Sequence, residues 1–218
     1  MNVTADLKAI LLDMDGVVID SEPIHEKAQR IVFRDHDLDV PESEFPAFKG
    51  MTERMVFERI LLKYGSNHHD IDALVDAKER VYRSLLDELE PVPGALEFIR
   101  RASKRYRLAL TTSSIRRNQE LAFRKFGLDS YFEAVVTEED ITNPKPHPQP
   151  YLVTARKLDV EPGVCLVVED SLHGVRSAHT AGCTVAGITT SFEADLLAEA
   201  GAHLVVDTFD ELSRQLAL

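Results

Sequence analysis

Six short apolar runs punctuate the chain: AILLDM at 9–14, RLALTT at 107–112, EAVVT at 133–137, VCLVVED at 164–170, TVAGI at 184–188 and AHLVV at 202–206. None alternates strictly between apolar and polar positions, which is the pattern of strands covered on both faces. Between the later runs, apolar residues recur at three- and four-residue spacing through 115–126, 149–158, 172–181 and 192–200, and this predicts helices. Strands and helices in alternation predict an α/β fold with a parallel, doubly wound, Rossmann-like sheet.

One region departs from the alternation. Residues 18–90 contain no strand pattern but several amphipathic helical ones, HEKAQRIVFRD, ERMVFERILLKYG and DALVDAKERVYRSLLDEL. The expected organisation is a core formed by 1–17 and 91–218, interrupted by a helical insertion at 18–90. Asp20, Ser21 and Pro23 carry helix-start chemistry where the chain leaves the core, and Pro91, Val92, Pro93 and Gly94 mark its return.

Composition narrows the function classes. The formal net charge of -12 disfavours nucleic acid and anionic membrane as partners, because such binders present basic patches to phosphate. No segment approaches the ~18 consecutive apolar residues of a membrane span. The N-terminus MNVTADLKAILLDMDG has neither a basic start nor a long apolar stretch, so a cytoplasmic protein is expected. Cys165 and Cys183 both sit in apolar runs and are expected to be small buried hydrophobes rather than a disulfide. A monomer is the default for one chain of this size.

In an open parallel sheet, ligands collect at the carboxyl ends of the strands. The polar exceptions fall there repeatedly: Asp13 and Asp15 end the first run, Thr112, Ser113 and Ser114 the second, and Glu169 and Asp170 the VCLVV run. A single acid at a strand end is readily explained as a cap for the next helix. Four acids with a hydroxyl cluster are not. Clustered carboxylates in a partly desolvated crevice raise one another's pKa or require a cation, and an all-oxygen donor set selects a hard one, with Mg²⁺ the natural candidate. No Cys/His spacing resembles a zinc site, and the adjacent His68 and His69 read as a solvated loop pair.

Carboxylates, a magnesium ion, hydroxyls and one cation are the equipment of phosphoryl transfer. The candidate cation is Lys145, in the proline-stiffened loop NPKPHPQPY, although an exposed loop lysine would read the same way, while Thr112 and Ser113 are candidate phosphate-binding hydroxyls. In extended chain Asp13 and Asp15 project to the same side, with Met14 opposite. Asp13, nearer the strand, is the candidate nucleophile. Asp15 is the candidate acid/base, protonating the leaving oxygen and then deprotonating the incoming water or hydroxyl. Both, with Glu169 and Asp170, form the candidate metal set.

Taken together these residues resemble the haloacid dehalogenase-like phosphohydrolase superfamily, over essentially the whole chain. DMDGVVIDSEP is similar to its first motif, which implies Asp13 as nucleophile and Asp15 as acid/base with a main-chain carbonyl that also meets the metal. Thr112 in LALTTSS falls at the second motif's phosphate-binding hydroxyl, Lys145 at the third-motif lysine, and Glu169 and Asp170 of VVEDSLHGVRSAHTAG at the fourth-motif metal ligands. The insertion resembles the family's cap. The nearest branch is the β-phosphoglucomutase-like one, which includes sugar phosphatases, so the resemblance implies a small phosphorylated metabolite as substrate. It also places His25, Lys49, Thr52 and Lys78 at cap positions facing substrate, whereas by themselves these are ordinary surface groups. Where the mutase carries an arginine for the distal phosphate, this chain has Glu53, with Arg54 one residue further on. Hydrolysis of a sugar phosphate is therefore the leading expectation, and a hexose-phosphate mutase the alternative. His147 and His173 are read as a loop residue and a helix-start residue near the site.

A signalling receiver module also combines a doubly wound sheet, acids, a hydroxyl, a lysine and Mg²⁺. Its phosphorylated aspartate follows the third strand, where VVTEEDITN supplies no isolated acceptor, and it has no use for an insertion. Dehalogenase chemistry has no role for the Asp15 acid/base or a metal.

Overall fold

The computed structural model describes residues 6–48, 51–65 and 69–218. The chain forms two compact units, one of Met1–Asp20 with Glu90–Leu218 and the other of Ser21–Leu89. In chain order the elements begin with β1 (Ala9–Leu12) and β2 (Ile19–Asp20), followed by the three helices of the inserted unit, α1 (Glu22–Asp35), α2 (Glu53–Tyr64) and α3 (Ile71–Ser84). The first unit resumes with β3 (Glu90–Pro91), α4 (Ala95–Ala102), β4 (Arg107–Thr111), α5 (Arg116–Phe126), β5 (Ala134–Val136) and α6 (Gln149–Lys157). It closes with β6 (Cys165–Glu169), α7 (Leu172–Thr180), β7 (Thr184–Ile188), α8 (Ala194–Ala200), β8 (Leu204–Val206) and α9 (Phe209–Gln215).

Six strands form one parallel sheet in the order β5-β4-β1-β6-β7-β8. Every residue of β1 and β6 is buried, as strands covered on both faces require. Each fully buried Leu or Val in them contributes about 1.5–3 kcal/mol by leaving water. Leu12 pairs with Leu110 of β4 and with Val168 of β6, so the three central strands end level with one another. The residues that follow those ends therefore meet at one edge of the sheet. From β1 the chain builds outward to β5 on one side and from β6 to β8 on the other, which opens the crevice typical of ligand sites in this class.

The expectation of no strand within 18–90 is corrected at both limits: Ile19 pairs with Pro91 and Asp20 with Glu90 in a two-residue antiparallel ribbon. Two residues are too few for a period of two to register, and Pro91 has no amide hydrogen to donate. Helices α4 and α9, of 8 and 7 residues, are too short for helical periodicity to stand out in the sequence. The central strands stop short of their apolar runs, β1 at Leu12 rather than Met14. There the Met14 carbonyl accepts from the amides of Val17, Val18 and Ile19, which turns the chain.

The inserted unit has its own core. The Phe33 ring meets those of Phe45, Phe48 and Phe57 edge-on at 6.0, 6.2 and 5.9 Å, within an apolar cluster that also takes in Val56, Ile60 and Leu74. Among the described residues no helix is long and apolar enough to cross a membrane. Cys165 and Cys183 are buried free thiols.

Candidate active site

Asp13 leaves the end of β1 with its amide bonded to the Val168 carbonyl at 3.1 Å, which fixes it beside the end of β6. Asp13, Glu169 and Asp170 are all buried, and each offers a carboxylate oxygen within 4.8 Å of the others. Lys145 enters this group from the loop before α6. Its Nζ donates to Asp13 Oδ1 and to Glu169 Oε1, both at 2.7 Å, and to the Thr111 carbonyl at 3.2 Å.

Glu169 is the most heavily engaged of the three. Besides Lys145, the Tyr151 hydroxyl donates to its Oε1 at 2.7 Å, and Oε2 accepts from the Asp170 and Ser171 amides, each at 3.1 Å, and from the Ser171 hydroxyl at 2.9 Å. Five donors saturate a carboxylate that has about four lone-pair sites. Close approach of α7 makes this possible, since a Cβ at Gly174 would come within 1.7 Å of Glu169 Oε1. Ser171 completes the turn by capping α7, its hydroxyl accepting from the Gly174 amide at 3.0 Å.

The electrostatics follow from this wiring. Burial pushes Glu169 upward, but the Lys145 charge and the hydrogen bonds from Lys145, Tyr151 and Ser171 outweigh it and hold the carboxyl below its usual range. Asp13 is pushed up to about 7 by burial, which the Lys145 charge only partly opposes while Glu169 and Asp15 add to it. Asp170 lies well above the usual range through burial, then the charges of Glu169 and Asp13. Lys145 loses basicity by burial but regains more from Asp13 and Glu169. One ammonium thus faces more carboxylate than it can neutralise.

Asp15 is wired differently from Asp13. Its Oδ2 accepts from the Ser114 hydroxyl at 2.7 Å and the Thr112 hydroxyl at 3.4 Å, while Thr112 Oγ1 itself accepts from the Ser114 amide at 2.9 Å. The two acids have separate partners, Asp13 being bonded to Lys145 and Asp15 to the hydroxyls after β4. Of those hydroxyls, Thr112 is buried and Ser113 exposed.

In the inserted unit, His25, Glu53 and Lys78 come together. Lys78 is fully buried, correcting its reading as an ordinary surface charge. Its Nζ lies 2.5 Å from Glu53 Oε1 and also bonds His25 Nδ1, which in turn lies 3.3 Å from Glu53 Oε1. The His25 ring stacks on Tyr82 at 4.4 Å. Burial raises Glu53, but the His25 hydrogen bond and the Lys78 charge bring it down to about 2. Thr52 caps α2 by accepting from the Met55 amide at 3.3 Å. Arg54 is exposed and paired with Asp72, and Lys49 lies outside the described residues.

Other histidines are placed as follows. His69 lies in a loop, half-buried, with its Nε2 bonded to the His36 carbonyl at 3.0 Å, and His68 lies outside the described residues. His173 is exposed near the start of α7, and His147 is exposed with its Nδ1 accepting from the Gln149 amide. Sequence reasoning missed Tyr151, Ser171, Thr190 and Ser191 and left Ser114 without a role. The strand-end rule could have found Thr190 and Ser191, which follow β7, whereas nothing in the helical pattern marks Tyr151 as aimed at the acids.

A family model described as haloacid dehalogenase-like hydrolase matches residues 10–188. The chain belongs to this family. It is 34% identical over 206 residues to a phosphorylated carbohydrates phosphatase of Thermotoga maritima, covering 92% of this chain and 94% of that one. It is 32% identical over 176 residues to the fructose-1-phosphate phosphatase YqaB of Escherichia coli, covering 79% and 92%. The solved structure of CbbY from Rhodobacter sphaeroides in complex with phosphate superposes with a TM-score of 0.84 at 27% identity, covering 97% of this chain and 100% of that one. The chain is a phosphoric monoester hydrolase of the haloacid dehalogenase-like family.

Proposed function

We propose that this hydrolase is a Mg²⁺-dependent phosphatase of phosphorylated carbohydrates that works through an aspartyl phosphate on Asp13. The observation that carries the reading is the convergence of Asp13, Glu169 and Asp170 around the single ammonium of Lys145. The kinship with phosphatases of phosphorylated carbohydrates and of fructose 1-phosphate supports the substrate class.

The donor set fits a hard divalent cation, being all oxygen, buried and in excess over its one counter-charge. Asp13 and Asp170 would hold the ion with the Asp15 main-chain carbonyl, and Glu169, saturated by its donors, would act chiefly by fixing Lys145. When bound, Mg²⁺ supplies positive charge that offsets the acids and the phosphoryl oxygens.

The chain's own groups divide the remaining work. Lys145 and the Thr112 hydroxyl hold the phosphoryl group. Asp13 attacks phosphorus through a carboxylate oxygen as the ester P–O bond breaks, and Asp15 protonates the departing alkoxide. Asp15 then takes a proton from water as the water oxygen attacks phosphorus, releasing phosphate and restoring the Asp13 carboxylate. Water rather than a sugar hydroxyl as final acceptor is favoured by Glu53: the Lys78 ammonium beside it is already satisfied by that carboxylate.

A phosphate-release screen over sugar phosphates and other phosphometabolites, with Asp13→Asn as control, tests the reading. Free phosphate should accumulate with one or more sugar phosphates, and Asp13→Asn should lower kcat by ~10⁴-fold or more with the fold intact. Undiminished release from Asp13→Asn removes Asp13 from the mechanism, and isomerised sugar phosphate without free phosphate makes the enzyme a mutase.

A further inference from the structure

Thr190 and Ser191 lie in the turn just after β7, and their hydroxyls reach two parts of the acidic site. The Thr190 hydroxyl donates to the Gly16 carbonyl at 2.5 Å, and the Ser191 hydroxyl donates to Asp170 Oδ2 at 2.5 Å. Gly16 sits in the left-handed region at φ 74°, and a Cβ there would come 1.9 Å from Asp170 Oδ2 and 3.1 Å from Ser191 Oγ. The turn after Asp15, the Asp170 carboxylate and this hydroxyl pair are therefore packed together without space for a methyl group. Asp170 is only 4% exposed, so a protein donor does what water would do at a surface carboxylate.

We propose that Ser191 is a positioning residue for the cation site, holding Asp170 by Oδ2 so that Oδ1 is kept for the metal, while Thr190 ties the same loop to the first-strand turn. This inference rests on the Mg²⁺ reading above. A carboxylate tethered at one oxygen loses rotational freedom about its Cβ–Cγ bond before the ion arrives, so less ordering remains to be done on binding. Loss of such outer partners typically weakens metal affinity ~10–100-fold.

Isothermal titration of Mg²⁺ into the wild-type chain, Ser191→Ala, Ser191→Cys and Asp170→Asn separates the inference from the reading beneath it. Ser191→Cys nearly keeps the side-chain size while replacing a strong donor by a weak one, so a packing defect in Ser191→Ala cannot imitate the effect in both variants. The expected result is a dissociation constant raised ~10-fold or more in both Ser191 variants, with the melting temperature in the absence of metal unchanged and binding abolished in Asp170→Asn. The Mg²⁺ concentration for half-maximal phosphate release should rise in step. Wild-type affinity in both Ser191 variants overturns the inference and leaves the Mg²⁺ site standing. Absence of Mg²⁺ binding to the wild type, or unchanged affinity in Asp170→Asn, overturns the site and the inference with it.

Discussion

Each unit of the molecule buries a lysine against carboxylate, and the two lysines could hardly be used more differently. Lys78 stands in the middle of α3 with one carboxylate, Glu53, and a histidine beside it, so its surroundings are close to charge balance. Lys145 stands on a loop at the strand ends and answers Asp13 and Glu169 directly, with Asp170 close by. A balanced buried pair is complete in itself and has no need of a ligand. An unbalanced one stores an electrostatic demand that a cation can meet, which is why burial of charge alone is a poor guide to chemistry and the excess of one sign a better one.

The largest test of this contrast is removal of metal. Chelation should reduce phosphate release to background and added Mg²⁺ should restore it; full turnover in chelator would mean that Lys145 alone suffices for the acids. Next in size is loss of the balanced pair. Lys78→Met leaves the half-buried Glu53 with only His25 and Gln29 beside it, and urea unfolding should register a loss of up to about 3–5 kcal/mol, partly recovered in Lys78→Met/Glu53→Leu because both charges are then gone. A loss under ~1 kcal/mol would show the pair to be solvated in effect.

The smallest effect is in pH. Glu53 is held at about 2 in the folded chain against an ordinary 4.5, so its carboxylate contributes stability that is present above 4.5 and lost as pH falls through the folded value. The advantage of the wild type over Glu53→Gln should accordingly shrink between about pH 4.5 and 2, by on the order of 3 kcal/mol in all. Unfolding curves across that range that stay parallel for the two proteins would show that Lys78 and His25 do not hold the Glu53 proton off.

Much of the sheet was readable because each central strand is buried on both faces, so AILL and CLVVE carry uninterrupted apolar signals that end at the first polar residue. The core candidates Asp13, Asp15, Thr112, Glu169 and Asp170 were readable for the complementary reason that several polar residues gather at the ends of such runs, and Lys145 because prolines stiffen the loop that carries it. The cap was harder. His25 and Lys78 lie on amphipathic helices whose polar faces carry many charges, and no one-dimensional pattern distinguishes a lysine that points inward to Glu53 from its exposed neighbours. Tyr151 was silent, since its hydroxyl's importance lies wholly in which carboxylate it reaches, and Ser191 offered only its place after a strand end.

The sequence by itself determined that the chain is a parallel α/β core with a helical insertion, and that acids and hydroxyls gather at the strand ends, because both follow from local periodicity and from where an apolar run stops. Tertiary structure decided which carboxylates Lys145 joins, which hydroxyls hold Asp15 and Asp170, and that Lys78 is buried with Glu53. Those are distances between segments as far apart as residues 13 and 145 or 25 and 78, and they exist only once the strands are in register and the helices are packed.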